Sequence, residues 1–216
     1  TLTGSWFAGL AGGSSDAAAT LLGLNKLWKL NIDDKDIKNL ASKIGSDVPF
    51  CINGGSQFCF GRGEILEKCD LFSNYALILL KSKNLSISTS EIYKKYSQEN
   101  SENMTLSDSK IKDKRKNLKL RNFSKNGFIN ENISLQNDLQ NIVKRENPSV
   151  FNALNLLRNL DKSLFFSMSG SGPSCFAIFD NLKIAKEIYY QNIEIFKKYG
   201  YDSWFCNFCN TGVTFT

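Results

Sequence analysis

The run Gly9 to Ala18, GLAGGSSDAA, constrains this chain more than any other stretch. Its glycines let a backbone with few side chains close on a neighbour. Its position ahead of an apolar helical pattern sets helix-opening amides, and the positive end of a helix dipole, where an anion could rest. Phosphate is the natural guest of such a cradle. Tight packing of the helix against another element is the other use the same glycines allow. Ser14, Ser15 and Asp16 follow directly and favour the phosphate reading. They supply candidate N-caps, hydroxyls for phosphate and oxygen contacts for Mg²⁺. No GxxxxGK[ST] is present, and the run is a poor dinucleotide fingerprint because no strand of normal length precedes it.

The rest of the composition removes several chemistries. With 216 residues, 42% of them hydrophobic, the chain can bury a core as one large domain or two small ones. It has no histidine, so Ser-His and Cys-His nucleophiles are excluded within it and acid–base work falls to Asp, Glu, Lys, Tyr or Cys. Cys51, Cys59, Cys69, Cys175, Cys206 and Cys209 do not form a disulfide framework in a chain this long. Cys206 and Cys209 make a lone CxxC with too few partners for a structural metal site, so no protein metal site is expected. No stretch approaches a membrane span, and TLTGSWFAG lacks the basic and apolar regions of a signal peptide. The cradle lies close to the first residue and no Met begins the chain, so a fragment lacking a leading segment is expected.

Eight cationic residues between Lys110 and Lys125 face only Asp113, which exceeds the whole net charge of +6. The surrounding segment, about 98–134, is rich in Asn, Ser and Lys. That composition favours a disordered insertion over a nucleic-acid-binding arm, since it carries few aromatics and no nucleic-acid motif.

Periodicity predicts a helix over Asp16–Leu30, with Ala18, Leu21, Leu22, Leu24 and Trp28 on its apolar side and Ser14 or Ser15 as N-cap. A second runs from about Asp34 to Lys43, capped by Asp33 or Asp34 and ended by Gly45. Ser46 to Phe50 reads as a turn, because Pro49 disfavours helix at Val48. Ser56 to Leu66 reads as two strands around Gly61-Arg62-Gly63. After a boundary near Ser73 come a buried strand at Ala76–Leu80 and a helix from Glu91. Two further helices follow at about Leu135–Lys144 and Ser149–Leu160. Strands at Leu164–Met168 and Cys175–Phe179, a helix at Leu182–Lys198 and a strand at Ser203–Phe208 complete a split βαβ order, a ferredoxin-like layer. The expected organisation is α+β, with domains 1–73 and 74–216.

Two further places carry chemistry. Asp47, between Gly45 and Pro49, has Val48 and Phe50 at hand to exclude water. It could take a proton from an attacking hydroxyl, or simply cap a helix. The loop Ser169-Gly170-Ser171-Gly172-Pro173-Ser174 is longer than a tight hairpin needs and can approach a ligand or the first loop.

GLAGGSSDAAATLLGLN, IGSDVPFCINGG with GRGE, NDLQ at Asn137 to Gln140, and MSGSGPSCFAIF stand here in one order. In that order they resemble the 4-diphosphocytidyl-2-C-methyl-D-erythritol kinase family. That family is a branch of the galactokinase, homoserine, mevalonate and phosphomevalonate kinase (GHMP) superfamily. The resemblance implies a two-domain fold, here a remnant of a ribosomal-protein-S5-like N-terminal domain followed by a ferredoxin-like C-terminal domain. It also implies ATP- and Mg²⁺-dependent phosphorylation of a small-molecule hydroxyl in the non-mevalonate isoprenoid pathway. By position, Phe7, Ala8, Gly9, Leu10, Ala11, Gly12, Gly13, Ser14, Ser15 and Asp16 would bind ATP, with Mg²⁺ carried on the nucleotide and touched by Ser14 or Ser15. Asp47 would be the catalytic base and Thr89 a substrate-side residue. Ser169, Gly170, Ser171 and Gly172 would brace the first loop. The pathway implies a plastid if the source is eukaryotic and the cytoplasm otherwise, and neither a membrane nor a nucleic-acid partner is expected.

Two departures stand beside the resemblance. Leu2 to Phe7 replaces a Lys-x-Ile-Pro-like strand. The family also carries roughly a hundred residues ahead of the loop, about a domain's worth, with an active-site lysine and an aromatic clamp for cytosine.

Overall fold

Three helices and a hairpin make one compact unit of this chain, and a four-stranded sheet with its helices makes another. The computed structural model describes residues 9–69, 74–101 and 136–215. The first unit holds Ala11–Asn74 and Asn207–Thr216. The second holds Tyr75–Cys206 together with Gly9 and Leu10. The tail from Asn207 thus goes with the first unit, whereas the sequence placed it in a domain spanning 74–216.

In the first unit, α1 (Gly12–Leu27), α2 (Asp34–Ile44) and α3 (Val48–Asn53) pack around Ala18, Ile37, Ala41, Val48 and Ile52. Helix α2 follows its sequence signals. The Asp33 carboxylate accepts the Asp36 N–H at 2.8 Å, and Gly45 ends the helix in an extended conformation. Helix α1 departs from them. It begins at Gly12 with Ala11 in the cap position, so neither Ser14 nor Ser15 caps it. It stops at Leu27, leaving Trp28 at the C-cap and 62% exposed instead of on the apolar stripe. Pro49 does not prevent a helix either. It occupies the first turn of α3, where its missing N–H would have had no helical partner.

β1 (Gln57–Phe60) and β2 (Ile65–Lys68) pair antiparallel, Phe60 opposite Ile65, across the Gly61–Glu64 turn. Gly63 has φ +116°, and a Cβ there would fall 2.7 Å from the Ser46 carbonyl oxygen. The hairpin tip therefore sits directly against the residue preceding Asp47. The tail docks through Gly212, whose N–H donates to the Asn53 carbonyl at 3.0 Å, and through Val213 against the core.

The second unit has sheet order β4-β5-β3-β6, from β3 (Ala76–Ser82), β4 (Phe165–Met168), β5 (Cys175–Phe179) and β6 (Tyr201–Asn207). This is the ferredoxin-like arrangement the split βαβ order predicts. Its helices are α4 (Thr89–Glu99), α5 (Gln140–Glu146), α6 (Pro148–Arg158) and α7 (Leu182–Lys198). The core joins Ile78, Leu80, Ala177 and Phe179 of the sheet to Val150, Leu154 and Leu157 of α6 and to Ile188 and Phe196 of α7. Helix α4 reaches Glu99, so the opening of the segment read as an insertion is helical. The Lys110–Lys125 run lies outside the described residues. Among those described, no helix is long and apolar enough to cross a membrane.

Candidate active site

Phe7 and Ala8 lie outside the described residues, so the cradle is seen from Gly9 onward. Gly9 adopts φ +70°, and Ala11 sits at φ 52°, ψ 32°, in the left-handed region that a residue with a Cβ enters at a cost of roughly 1–2 kcal/mol. That backbone turns the chain sharply into α1. The first intrahelical bond is Ser15 N–H to the Ala11 carbonyl at 2.9 Å. The amides of Gly12, Gly13 and Ser14 precede it, and no side chain caps them. Gly13 is exposed, and a Cβ there would meet nothing within 4 Å. The start of α1 is thus an uncapped, sterically open helix N-terminus with no acidic residue in its first turn. Such an end attracts an anion through its free amides and the helix dipole.

In the same unit Asp47 stands at the N-cap position of α3 with near-helical backbone, yet its carboxylate makes no capping bond. Among the described residues no hydrogen bond or ion pair holds that carboxylate, and the residue is exposed. The sequence had given it a water-excluding surround. In the structure Val48 instead turns into the core and Phe50 is only half-buried. The negative charge is felt nearby: burial first, and then Asp47, pushes the thiols of Cys51 and Cys59 up from their ordinary range. Among the described residues no group of three or more His, Cys, Asp or Glu could hold a metal ion.

The second unit brings Gly9, Thr89 and the Ser169–Ser174 loop together. The Ser169 hydroxyl donates to the Gly9 carbonyl at 2.7 Å. Approach is so close that a Cβ on Gly9 would lie 2.2 Å from the Ser169 carbonyl oxygen. Gly170, at φ +52°, faces the Gly9 carbonyl in turn. Two residues after Ser169, the buried Ser171 hydroxyl is 2.8 Å from that of exposed Thr89, at the start of α4. The loop holds its own shape through Ser169 N–H to the Ser174 carbonyl and Gly172 N–H to the Ser169 carbonyl, each 2.8 Å. It is no plain hairpin connection.

Two amides absent from the sequence-based site fasten this loop to the unit. Asn137 donates from Nδ2 to the carbonyls of Met168, at 2.9 Å, and Gly170, at 2.8 Å. Gln140 Oε1 accepts the Met168 N–H at 2.8 Å and the Ser167 hydroxyl at 3.1 Å. The sequence carried a signal for them, since they are the first and last residues of NDLQ, but spacing alone gave them no partner.

An uncapped helix N-terminus entered through glycines in the first unit, and a ferredoxin-like second unit, are the order of parts that the small-molecule kinase class presents. The chain belongs to the GHMP kinases: the family's N terminal domain matches residues 7–55 and its C terminal domain residues 116–198. It is 52% identical over 208 residues to the 4-diphosphocytidyl-2-C-methyl-D-erythritol kinase of Prochlorococcus marinus strain MIT 9515, covering 96% of this chain and 67% of that protein. Two solved structures share the fold. A 4-(cytidine 5'-diphospho)-2C-methyl-D-erythritol kinase matches with TM-score 0.66 at 24% identity, over 94% of this chain and 67% of that one. The homoserine kinase of Cytophaga hutchinsonii matches with TM-score 0.69 at 16% identity, over 97% of this chain and 68% of that one.

Proposed function

We propose that this protein transfers the γ-phosphoryl group of ATP to the 2-hydroxyl of 4-diphosphocytidyl-2-C-methyl-D-erythritol, a step of isoprenoid precursor synthesis. The observation that carries this reading is the identity of 52% across nearly the whole chain to a relative of that name. The local chemistry is consistent with it. Phe7 to Asp16 would bind ATP, Gly9 to Asp16 cradling its phosphates with the uncapped amides of Gly12, Gly13 and Ser14 as donors. Mg²⁺ would arrive on the nucleotide, with Ser14 or Ser15 as its protein contact, and would neutralise phosphate charge. Asp47 would take the proton of the attacking hydroxyl as its oxygen bonds to phosphorus and the bond to the departing ADP breaks. An unpaired carboxylate is free for that task. Thr89 would face the acceptor, and Ser169, Gly170, Ser171 and Gly172 would hold the nucleotide loop in place.

Because the relatives come from Prochlorococcus, we assign the reaction to the cytoplasm of a bacterial source or the plastid of a eukaryotic one. The test is ADP release by the full-length protein with each acceptor. Turnover with the diphosphocytidyl compound, and none with homoserine or mevalonate, supports the assignment. The reverse preference moves the protein to another branch of the superfamily.

A further inference from the structure

Asn137 binds two carbonyls at once, one at the end of β4 and one in the glycine loop. Its Nδ2 donates to Met168 and Gly170, which flank Ser169, while its Oδ1 accepts the Leu139 N–H at 3.0 Å. The carbonyl side of the amide thus serves the start of α5, and the amino side serves the loop. Between the two anchored carbonyls stands the serine whose hydroxyl holds the Gly9 carbonyl. A peptide group is planar and trans, so fixing the direction of the Gly9 carbonyl also fixes the Leu10 N–H, which points the opposite way. The direction of the Leu10 N–H is therefore linked to Asn137 through two hydrogen-bonded steps, Asn137 to the loop and Ser169 to Gly9.

We propose that Asn137 is a positioning residue for nucleotide binding, acting through Ser169 and Gly9 rather than by touching the ligand. This rests on the kinase reading above. Gln140 assists by holding Met168 N–H, but it leaves Gly170 untouched, so Asn137 is the decisive contact.

The two ends of the amide allow a clean test in the full-length protein. Asn137→Asp keeps an acceptor for Leu139 N–H but loses both donors and sets a carboxylate against two carbonyls. Asn137→Ala loses everything. ATP affinity by calorimetry, KM for ATP and KM for the acceptor are measured on both. Loss of two hydrogen bonds to the loop corresponds to about tenfold weaker ATP binding. The expected result is that Asn137→Asp is impaired in ATP binding at least as much as Asn137→Ala, with the acceptor KM within about twofold of wild type. If Asn137 served only to start α5, Asn137→Asp would bind ATP like wild type, and that outcome overturns the proposal. Equal losses for ATP and acceptor overturn it too. If Asn137→Ala does not fold, Asn137→Asp alone still decides. A wild-type protein that binds no ATP refutes the kinase reading itself, and is told apart because no variant is involved.

Discussion

Replacing Gly13 by alanine separates the two uses that glycines ahead of a helix can have. Gly13 is helical and exposed in the first turn of α1, and a Cβ there meets no atom within 4 Å. The folded protein therefore accepts the methyl group without strain. Alanine also restricts the unfolded chain, which stabilises the native state by roughly 0.4–1 kcal/mol. In a chain of this size that raises Tm by about 1–4 °C. If the open space exists for a polyphosphate, the same methyl group stands where a ligand must approach the amides of Gly12 to Ser14. Losing one charge-assisted hydrogen bond costs about 1.5–3 kcal/mol, or roughly ten- to a hundredfold in affinity. Gly13→Ala should thus be more stable and bind ATP at least about tenfold more weakly. Scanning fluorimetry without ligand and KM for ATP in the full-length protein measure the two halves. A raised Tm with unchanged KM would refute the phosphate role of this glycine. A lowered Tm would refute the steric reasoning.

Asp47→Asn should cut turnover by at least ~100-fold, the scale of a lost general base, with little change in ATP affinity; near-wild-type turnover removes Asp47 from that role. Ser174 is fully buried and its hydroxyl has no partner among the described residues, so Ser174→Ala should gain about 1 kcal/mol in urea unfolding. A loss of stability would mean that the hydroxyl is satisfied after all. Burial in β5 pushes the Cys175 thiol from 9.0 up to about 12, so above pH 9 the unfolded chain sheds a proton that the folded chain keeps. The stability tied to that thiol is complete below pH 9 and is lost as pH rises towards 12, at about 1.4 kcal/mol per pH unit. Urea unfolding at pH 8 and pH 10 should show this drop in the wild type and a shallower one in Cys175→Ala; equal slopes would contradict it.

Elements that bury an amphipathic face were legible in the sequence. Ile37 and Ala41 at i and i+4 with an Asp cap can hardly be anything but α2. The alternation about Gly61 and Gly63 marks the hairpin, and the βαβ order of the second half marks its sheet. Misreadings fell where backbone geometry is set by distant atoms. Ala11 takes a left-handed conformation that its own side chain disfavours, which moves the start of α1 ahead of both serines. Pro49 disfavours helix at Val48, yet Val48 opens α3, because in a first turn the proline's missing N–H costs nothing. The tail's return to the first unit depends on Gly212 finding the Asn53 carbonyl, a contact with no local signal. The motif residues of the candidate site were visible as a pattern. Asn137 was visible only as a letter in NDLQ, because a side chain that works by donating to two remote carbonyls leaves no periodicity.

Ser169 and Ser171 show what such remote contacts achieve. Their hydroxyls are two residues apart on one loop, and each serves a different client, the Gly9 carbonyl for one and Thr89 for the other. If Gly9 belongs to the nucleotide loop and Thr89 faces the acceptor, one short segment references both ends of the transfer. Its shape is fixed internally by the two turn hydrogen bonds and externally by Asn137 and Gln140. Gly9 and Thr89 are thus both referenced to one loop. Two independent loops would let their spacing drift. In-line phosphoryl transfer is governed by the separation and alignment of attacking and leaving oxygens, where an error of about 1 Å can cost ~100-fold. On that reading a shared loop would protect that separation, and it would do so with neutral hydrogen bonds that add no charge of their own.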